Sequence, residues 1–284
     1  MVDRNLVQKL RGSILTTGEG MELHIPPSGF DWRAVHGGGP GVIDPFSENS
    51  AQQWPMGTRL VYGERQFRYA RANSVAIEVS ALVQTRVPLA GHINEVIGTH
   101  AIGSVTIDFT PNTVTTDDLD ANELQDGHIF IYDDVGEGHM YLILSHPAIV
   151  GGTSGVLTLV DPVRVAIGAS ATGTVLINSH QNLIIHPSPM TAKPIGWTQQ
   201  AISASAYFWV LTRGPTAALI DSGGVAVVMG EWVVPSLEDD GAVQVFNADI
   251  ADEPDVGAVG RILEIGADAQ EAAATYGAVW AELD

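Results

Sequence analysis

Residues 128–146, HIFIYDDVGEGHMYLILSH, consist of two apolar runs joined by a segment of Asp and Gly. Successive residues of a strand point to opposite faces, and apolar side chains alternate in this way on both sides of the joint, so we expect two β-strands. Asp can cap a tight turn with its own side chain, and Gly accepts positive φ, so DDVGEG predicts the reversal of a hairpin. This stretch therefore favours an all-β fold.

The same stretch is the first place to look for a metal site, because Asp133, Asp134, Glu137, His139 and His146 lie close together in it. A calcium loop would need more regularly spaced oxygen ligands and a distal bidentate Glu. His139 and His146 would lie on opposite faces of an extended strand, which does not suit zinc. We therefore expect a turn, with no bound metal and no cofactor.

The strand pattern continues through the rest of the chain. From residue 58 onward, short apolar runs recur about every ten residues and are broken by Gly, Pro, Asn and Asp. This spacing predicts a β-barrel or β-sandwich body over residues 58–284, with 58–200 and 201–284 as candidate subdomains. ADAQEAAAT at 267–275 is compatible with a short helix, but Gly266 and Gly277 flank it and favour strand–loop–strand.

Residues 1–57 have a different character and predict an extended, mostly irregular N-terminal arm. HIPPSGFDWRAVHGGGPGVIDPF at 24–46 is rich in Pro and Gly and has no periodic pattern. A plain Gly/Ser spacer would not need apolar anchors, yet aromatic residues are spaced through this segment. We expect the arm to lie on another surface, either of its own domain or of a neighbour. The predicted partner-contact residues are Phe30, Trp32, Phe46 and Trp54.

Composition and charge exclude several classes of function. The 284 residues contain no cysteine, which excludes disulfides, thiolate metal sites and cysteine nucleophiles. Residues 1–71 carry eight Arg or Lys and seven Asp or Glu, a net +1, whereas the remaining residues carry five and 26, a net −21. Such an acidic body should repel the phosphate backbone of nucleic acids, and we therefore expect no nucleic-acid partner. We also expect no membrane partner and no secretion signal, because no apolar run has the required length.

Motifs for catalysis or ligand binding are weak. Residues 152–156, GTSGV, place the second glycine too early for a nucleophile elbow around Ser154. GGGPG at 37–41 lacks the Lys-Ser/Thr of a phosphate loop. Tyr207 and Trp209 share one face of a predicted strand, either as a sugar-stacking platform or as part of the core. We predict no catalytic residue and no enzyme activity.

Several segments together resemble a family of virion proteins. PMGTRLVYGERQFRYARA (55–72), IYDDVGEGHMYLILSHPA (131–148), VLTLVDPVRVAI (156–167) and ISASAYFWVLTRGPTAALID (202–221) follow one another in the order and turn style of the capsid decoration, or cement, proteins of tailed bacteriophages. The resemblance covers about residues 55–284 and carries no functional residues to transfer.

The resemblance implies a non-enzymatic virion structural protein that binds the outer surface of the head and stabilises contacts between capsomers. It would be made in the bacterial host cytoplasm, its partner would be the major capsid protein, and it would form a homotrimer. Two alternatives stay open at this point: a phage tail or fibre structural protein, and a glycan-binding module of β-sandwich type.

Overall fold

The computed structural model describes residues 12–112, 117–221, 227–246, 257–264 and 275–284. Within these residues nearly all regular structure is β, which confirms the predicted all-β fold class. Residues 1–11 of the predicted arm lie outside the described residues, and so does most of the ADAQEAAAT segment, whose sequence is compatible with a short helix.

The described residues contain a one-turn helix α1 (Trp32–His36), a 3-10 turn (Ala90–His92) and eighteen strands. The strands are β1 (Ser13–Thr16), β2 (Glu22–Ile25), β3 (Arg59–Tyr62), β4 (Arg65–Arg71), β5 (Leu82–Gln84), β6 (Glu95–Val96), β7 (Thr106–Phe109), β8 (His128–Ile131), β9 (Met140–Ser145), β10 (Gly155–Leu159), β11 (Thr172–Leu176), β12 (Ile184–Ile185), β13 (Pro194–Trp197), β14 (Tyr207–Asp221), β15 (Trp232–Pro235), β16 (Val243–Val245), β17 (Gly260–Glu264) and β18 (Thr275–Glu282).

The chain forms two compact units. Unit 1 includes Pro27–Asp31 and Pro88–Asn178, and unit 2 consists of Ser13–Pro26, Trp32–Val87 and Ser179–Asp284. This division differs from the predicted boundaries at residues 58 and 200. The reason is strand pairing: β2, from the predicted arm, pairs with β3, and β4 pairs with β14 from beyond residue 200, so all four strands belong to one sheet.

Unit 1 contains a six-stranded sheet in the order β6–β11–β8–β9–β10–β7, which curls into a half-barrel. Its core consists of the inward residues of the alternating strands, such as Ile129, Ile131 and Ile143. β8 and β9 pair antiparallel with Ile129 opposite Tyr141, which confirms the hairpin predicted for residues 128–146.

Unit 2 contains a twelve-stranded sheet, part of which closes on itself. Its path runs β1–β2–β3–β4–β14–β16–β15–β17–β18, and β18 returns to pair with β14, so five strands form a closed barrel. β14 pairs with β4 along its first half and with β18 along its second. Gly214, with φ +102°, lies at the change of partner, and a Cβ there would be 2.8 Å from the carbonyl oxygen of Glu64. Only glycine fits this close approach.

Candidate partner-contact surface

The second half of the predicted arm lies on its own unit, against the sheet formed by β3, β4 and β14. Asn49 and Tyr207 exchange two backbone hydrogen bonds, each 2.8 Å. The backbone N–H of Gln53 donates to the phenol oxygen of Tyr69 at 2.9 Å. The sequence left open whether the arm covers its own domain or a neighbour, and the structure places residues 49–53 on their own unit.

Two of the four predicted contact residues are anchors inside unit 2. Trp32 and Trp54 are both buried, and their rings pack 5.7 Å apart. The His36 imidazole stacks on Trp54 at 4.2 Å, and its Nε2 lies 3.1 Å from the carbonyl oxygen of Gln53. The apolar surface of both indoles is therefore already used within the unit. Phe30 is half-buried and belongs to unit 1, whereas the other three residues belong to unit 2.

The fourth predicted residue, Phe46, belongs to an exposed cluster that we call the Arg65 patch: Phe46, Tyr62 and Arg65. Phe46 and Tyr62 are 40% and 39% exposed. The Arg65 guanidinium lies 5.1 Å from the centroid of the Phe46 ring and 5.8 Å from that of Tyr62. Phe46 also packs edge-on against buried Phe67, with 6.2 Å between ring centroids. Two exposed rings around one guanidinium make the kind of surface that dominates binding at protein interfaces.

Tyr62 and Arg65 were missed as contact candidates, although a signal for them exists in the sequence. They flank the two-residue turn Gly63–Glu64 and lie directly opposite each other in the β3–β4 register. Residues opposite each other in a hairpin share a face, so the predicted hairpin already placed Tyr62 and Arg65 side by side.

A small cleft of about 200 Å³ lies beside these anchors in unit 2. Its lining includes His36, Val42, Asp44, Asn49, Gln53, Trp54 and Trp209. Trp209 packs edge-on against Tyr69 at 5.0 Å and is only 3% exposed, so its ring face is covered. The core interpretation of Trp209 is therefore confirmed, and Trp209 offers no flat platform for a sugar.

The polar groups of the acidic turn at residues 132–139 form hydrogen bonds within the turn and with the neighbouring strand β11. One carboxylate oxygen of Asp133 accepts hydrogen bonds from the Thr172 N–H and hydroxyl, each 2.9 Å. Asp134 has positive φ, and the His139 Nδ1 lies 3.1 Å from the carbonyl oxygen of Gly136. Among the described residues, no three His, Asp or Glu side chains are placed to hold a metal ion.

The buried His146 imidazole takes part in the backbone hydrogen-bond network. The N–H of Leu124 donates to His146 Nε2 at 2.8 Å, so that nitrogen is unprotonated, and Nδ1 lies 2.7 Å from the carbonyl oxygen of Pro147. Burial lowers the pKa of His146. Burial, with the nearby charge of Arg68, lowers the pKa of His180 to about 4. Both imidazoles are therefore neutral at physiological pH, as a structural role requires.

Comparisons with known proteins identify no relative: no protein-family model, curated protein or solved structure matches the chain. In the part of the chain that the structure describes, no helix is long and apolar enough to span a membrane. Inference about function therefore depends on the surface chemistry of the chain itself.

Proposed function

We propose that the chain is a non-enzymatic virion structural protein of a tailed phage, a capsid decoration protein that binds the outer surface of the head. Its partner is the major capsid protein, and the Arg65 patch is the contact. The observation that carries this proposal is the exposed cluster of Phe46, from the arm, with Tyr62 and Arg65, from the β3–β4 hairpin. As the sequence resemblance implies, the protein is made in the host cytoplasm. The homotrimer stays a prediction of that resemblance and is not part of the proposed contact.

The patch is ordered before any partner arrives. Phe46 is fixed against Phe67, and the Arg65 guanidinium lies over the Phe46 ring. Immobilising a flexible side chain at an interface costs about 0.5–1.5 kcal/mol, so side chains that are already fixed retain more of their binding energy. This preorganisation favours an adhesive role for the patch.

The charge distribution would orient the protein so that the Arg65 patch faces an acidic shell surface. Arg65 and Arg71 lie on the same face of β4 as Phe67, whereas the chain beyond Arg71 has a net charge of −21. An acidic shell surface would attract the β3–β4 region and repel the rest of the chain, which orients the protein as it docks. Many equivalent sites on a lattice would reinforce weak individual contacts.

The test is binding to purified heads that lack this protein, measured by co-sedimentation. We expect Phe46→Ala and Arg65→Ala each to weaken binding at least about tenfold, the loss that separates a hot-spot residue from its neighbours. Tyr132→Ala is the matched control, because Tyr132 is an aromatic residue in unit 1 that is 58% exposed. Unchanged head binding by both patch variants would refute the assignment of the contact. Labelling of tails instead of heads would replace the decoration role by the tail alternative.

A further inference from the structure

Strand β1 forms one edge of the twelve-stranded sheet of unit 2. Among the described residues it pairs only with β2, in the register Ser13–Ile25, Ile14–His24, Leu15–Leu23 and Thr16–Glu22. The opposite side of β1 therefore presents backbone donors and acceptors that no described strand uses.

The hairpin identifies which residues present those groups. The N–H of Thr17 donates to the carbonyl oxygen of Met21 at 2.9 Å, so these two residues form a hydrogen-bonded pair. Hydrogen-bonded and non-bonded pairs alternate along antiparallel strands, so Leu15 bonds to β2 while Ile14 and Thr16 do not. The N–H and C=O groups of Ile14 and Thr16 consequently point away from β2, toward the free edge.

Among the described residues, the backbone edge of Ser13–Thr16 lacks the features that normally prevent strands from associating, although the Arg33 guanidinium donates to the Ser13 hydroxyl at 2.8 Å. Ser13–Thr16 contains no charged residue, Pro or Gly, and the Ile14 side chain is 67% exposed. By contrast, the edge strand β7 carries Asp108, and the edge strand β12 has only two residues. Natural sheet edges are usually protected by charges, by Pro or by short length, so β1 is an available template for another strand.

We propose that β1 pairs antiparallel with β1 of a second copy of this chain about a two-fold axis. With Leu15 on the axis, Ile14 of each copy lies opposite Thr16 of the other. The outward-facing groups then meet one another and form about four backbone hydrogen bonds. An isologous interface needs the same surface on both copies to be complementary to itself, and β1 meets this condition in the proposed register.

Charge favours this edge as the place where two copies meet. The body of the chain is strongly anionic, but residues 1–71 carry a net +1 and β1 itself is uncharged. In the paired arrangement, the two Glu22 residues would be at least three strand spacings apart, more than about 14 Å. That distance exceeds the Debye length of about 8 Å at physiological salt, so their repulsion is largely screened.

The test is sedimentation velocity over a concentration series, with hydrogen exchange at the Ile14 and Thr16 amides. We expect reversible dimers, and slower exchange at both amides as the dimer fills. Ile14→Lys should raise the dimer dissociation constant at least about tenfold, because it places one charge from each copy beside the joined edge. Ile102→Lys is the matched control: Ile102 is 69% exposed but lies in a turn of unit 1.

Three results would overturn the proposal. The first is a monomer at every concentration, and the second is a dimer that Ile14→Lys leaves intact. The third is protection of the two amides in the monomer, or only after heads are added, because another segment would then occupy the edge. None of these results depends on the Arg65 patch, so the two proposals fail independently.

Discussion

Replacing Tyr69 by Phe removes one hydroxyl group and tests whether the arm is held on its own sheet. Tyr69 is fully buried, its ring lies beside Tyr207 and Trp209, and its oxygen accepts the Gln53 N–H. Burial raises the pKa of Tyr69 far above its usual value, so the group is a neutral phenol throughout the working pH range. Phe preserves the ring packing and removes the hydroxyl group, and with it the acceptor of the Gln53 N–H. A buried N–H that loses its partner costs about 1–3 kcal/mol.

The loss of this hydrogen bond should lower the free energy needed to open the arm locally away from the sheet. If Gln53 exchanges through local opening, its amide should exchange about ten- to a hundredfold faster in Tyr69→Phe. Tyr62→Phe removes an equivalent hydroxyl from an exposed site on the neighbouring strand and should leave Gln53 unchanged. Equal exchange at Gln53 in the wild type and in Tyr69→Phe would show that this hydrogen bond does not hold the arm.

Three further changes test other parts of the structure. Burial lowers the pKa of His146 in the native state, so below about pH 6.5 the unfolded chain binds a proton more readily than the native state does. The free energy of unfolding should therefore fall as the pH drops below about 6.5. His146→Gln should make this dependence of the unfolding free energy on pH less steep, as measured by urea titrations at several pH values. Burial acts to raise the pKa of Asp284, but hydrogen bonds from Arg68 at 2.7 and 2.9 Å and its charge hold that pKa below the usual value. Asp284→Asn should therefore cost about 1.5–3 kcal/mol at pH 7 and less as the pH falls through the native pKa; an equal loss at pH 7 and pH 2 would contradict this. Gly196→Ala would place a Cβ 2.2 Å from a carbonyl oxygen of β14 and should lower the midpoint of thermal unfolding, whereas Gly18→Ala, with open space around it, should not.

Local sequence patterns predicted the strands but not the way in which the sheets close. The alternation in residues 128–146 defines both strands and the turn, because a period of two needs only neighbouring residues. Closure of the barrel depends on β14 meeting β18, more than fifty residues later in the chain. The change of partner at Gly214 depends on its approach to Glu64, which lies even farther away in the sequence. No window of a few residues contains that information.

The same limit explains the outcome for the contact residues. An aromatic residue among Pro and Gly has the same local pattern whether it anchors the arm to its own unit or to a partner. Trp32 and Trp54 are buried within unit 2, while Phe46 remains exposed, and the difference arises from the sheet beneath them. Tyr62 and Arg65, by contrast, follow from a hairpin that the sequence does predict.

The two proposed contacts are related through the faces of one sheet. Leu15, Leu23, Leu60 and Phe67 lie opposite one another across β1 to β4, so they share a face, and the spacing of β4 places Arg65 on the same face as Phe67. In an antiparallel pair about an axis perpendicular to the sheet, both copies show the same face on the same side. Pairing through β1 would therefore present two Arg65 patches in one direction. A flat shell could engage both patches at once, and the second contact would then form at the high effective concentration set by the first.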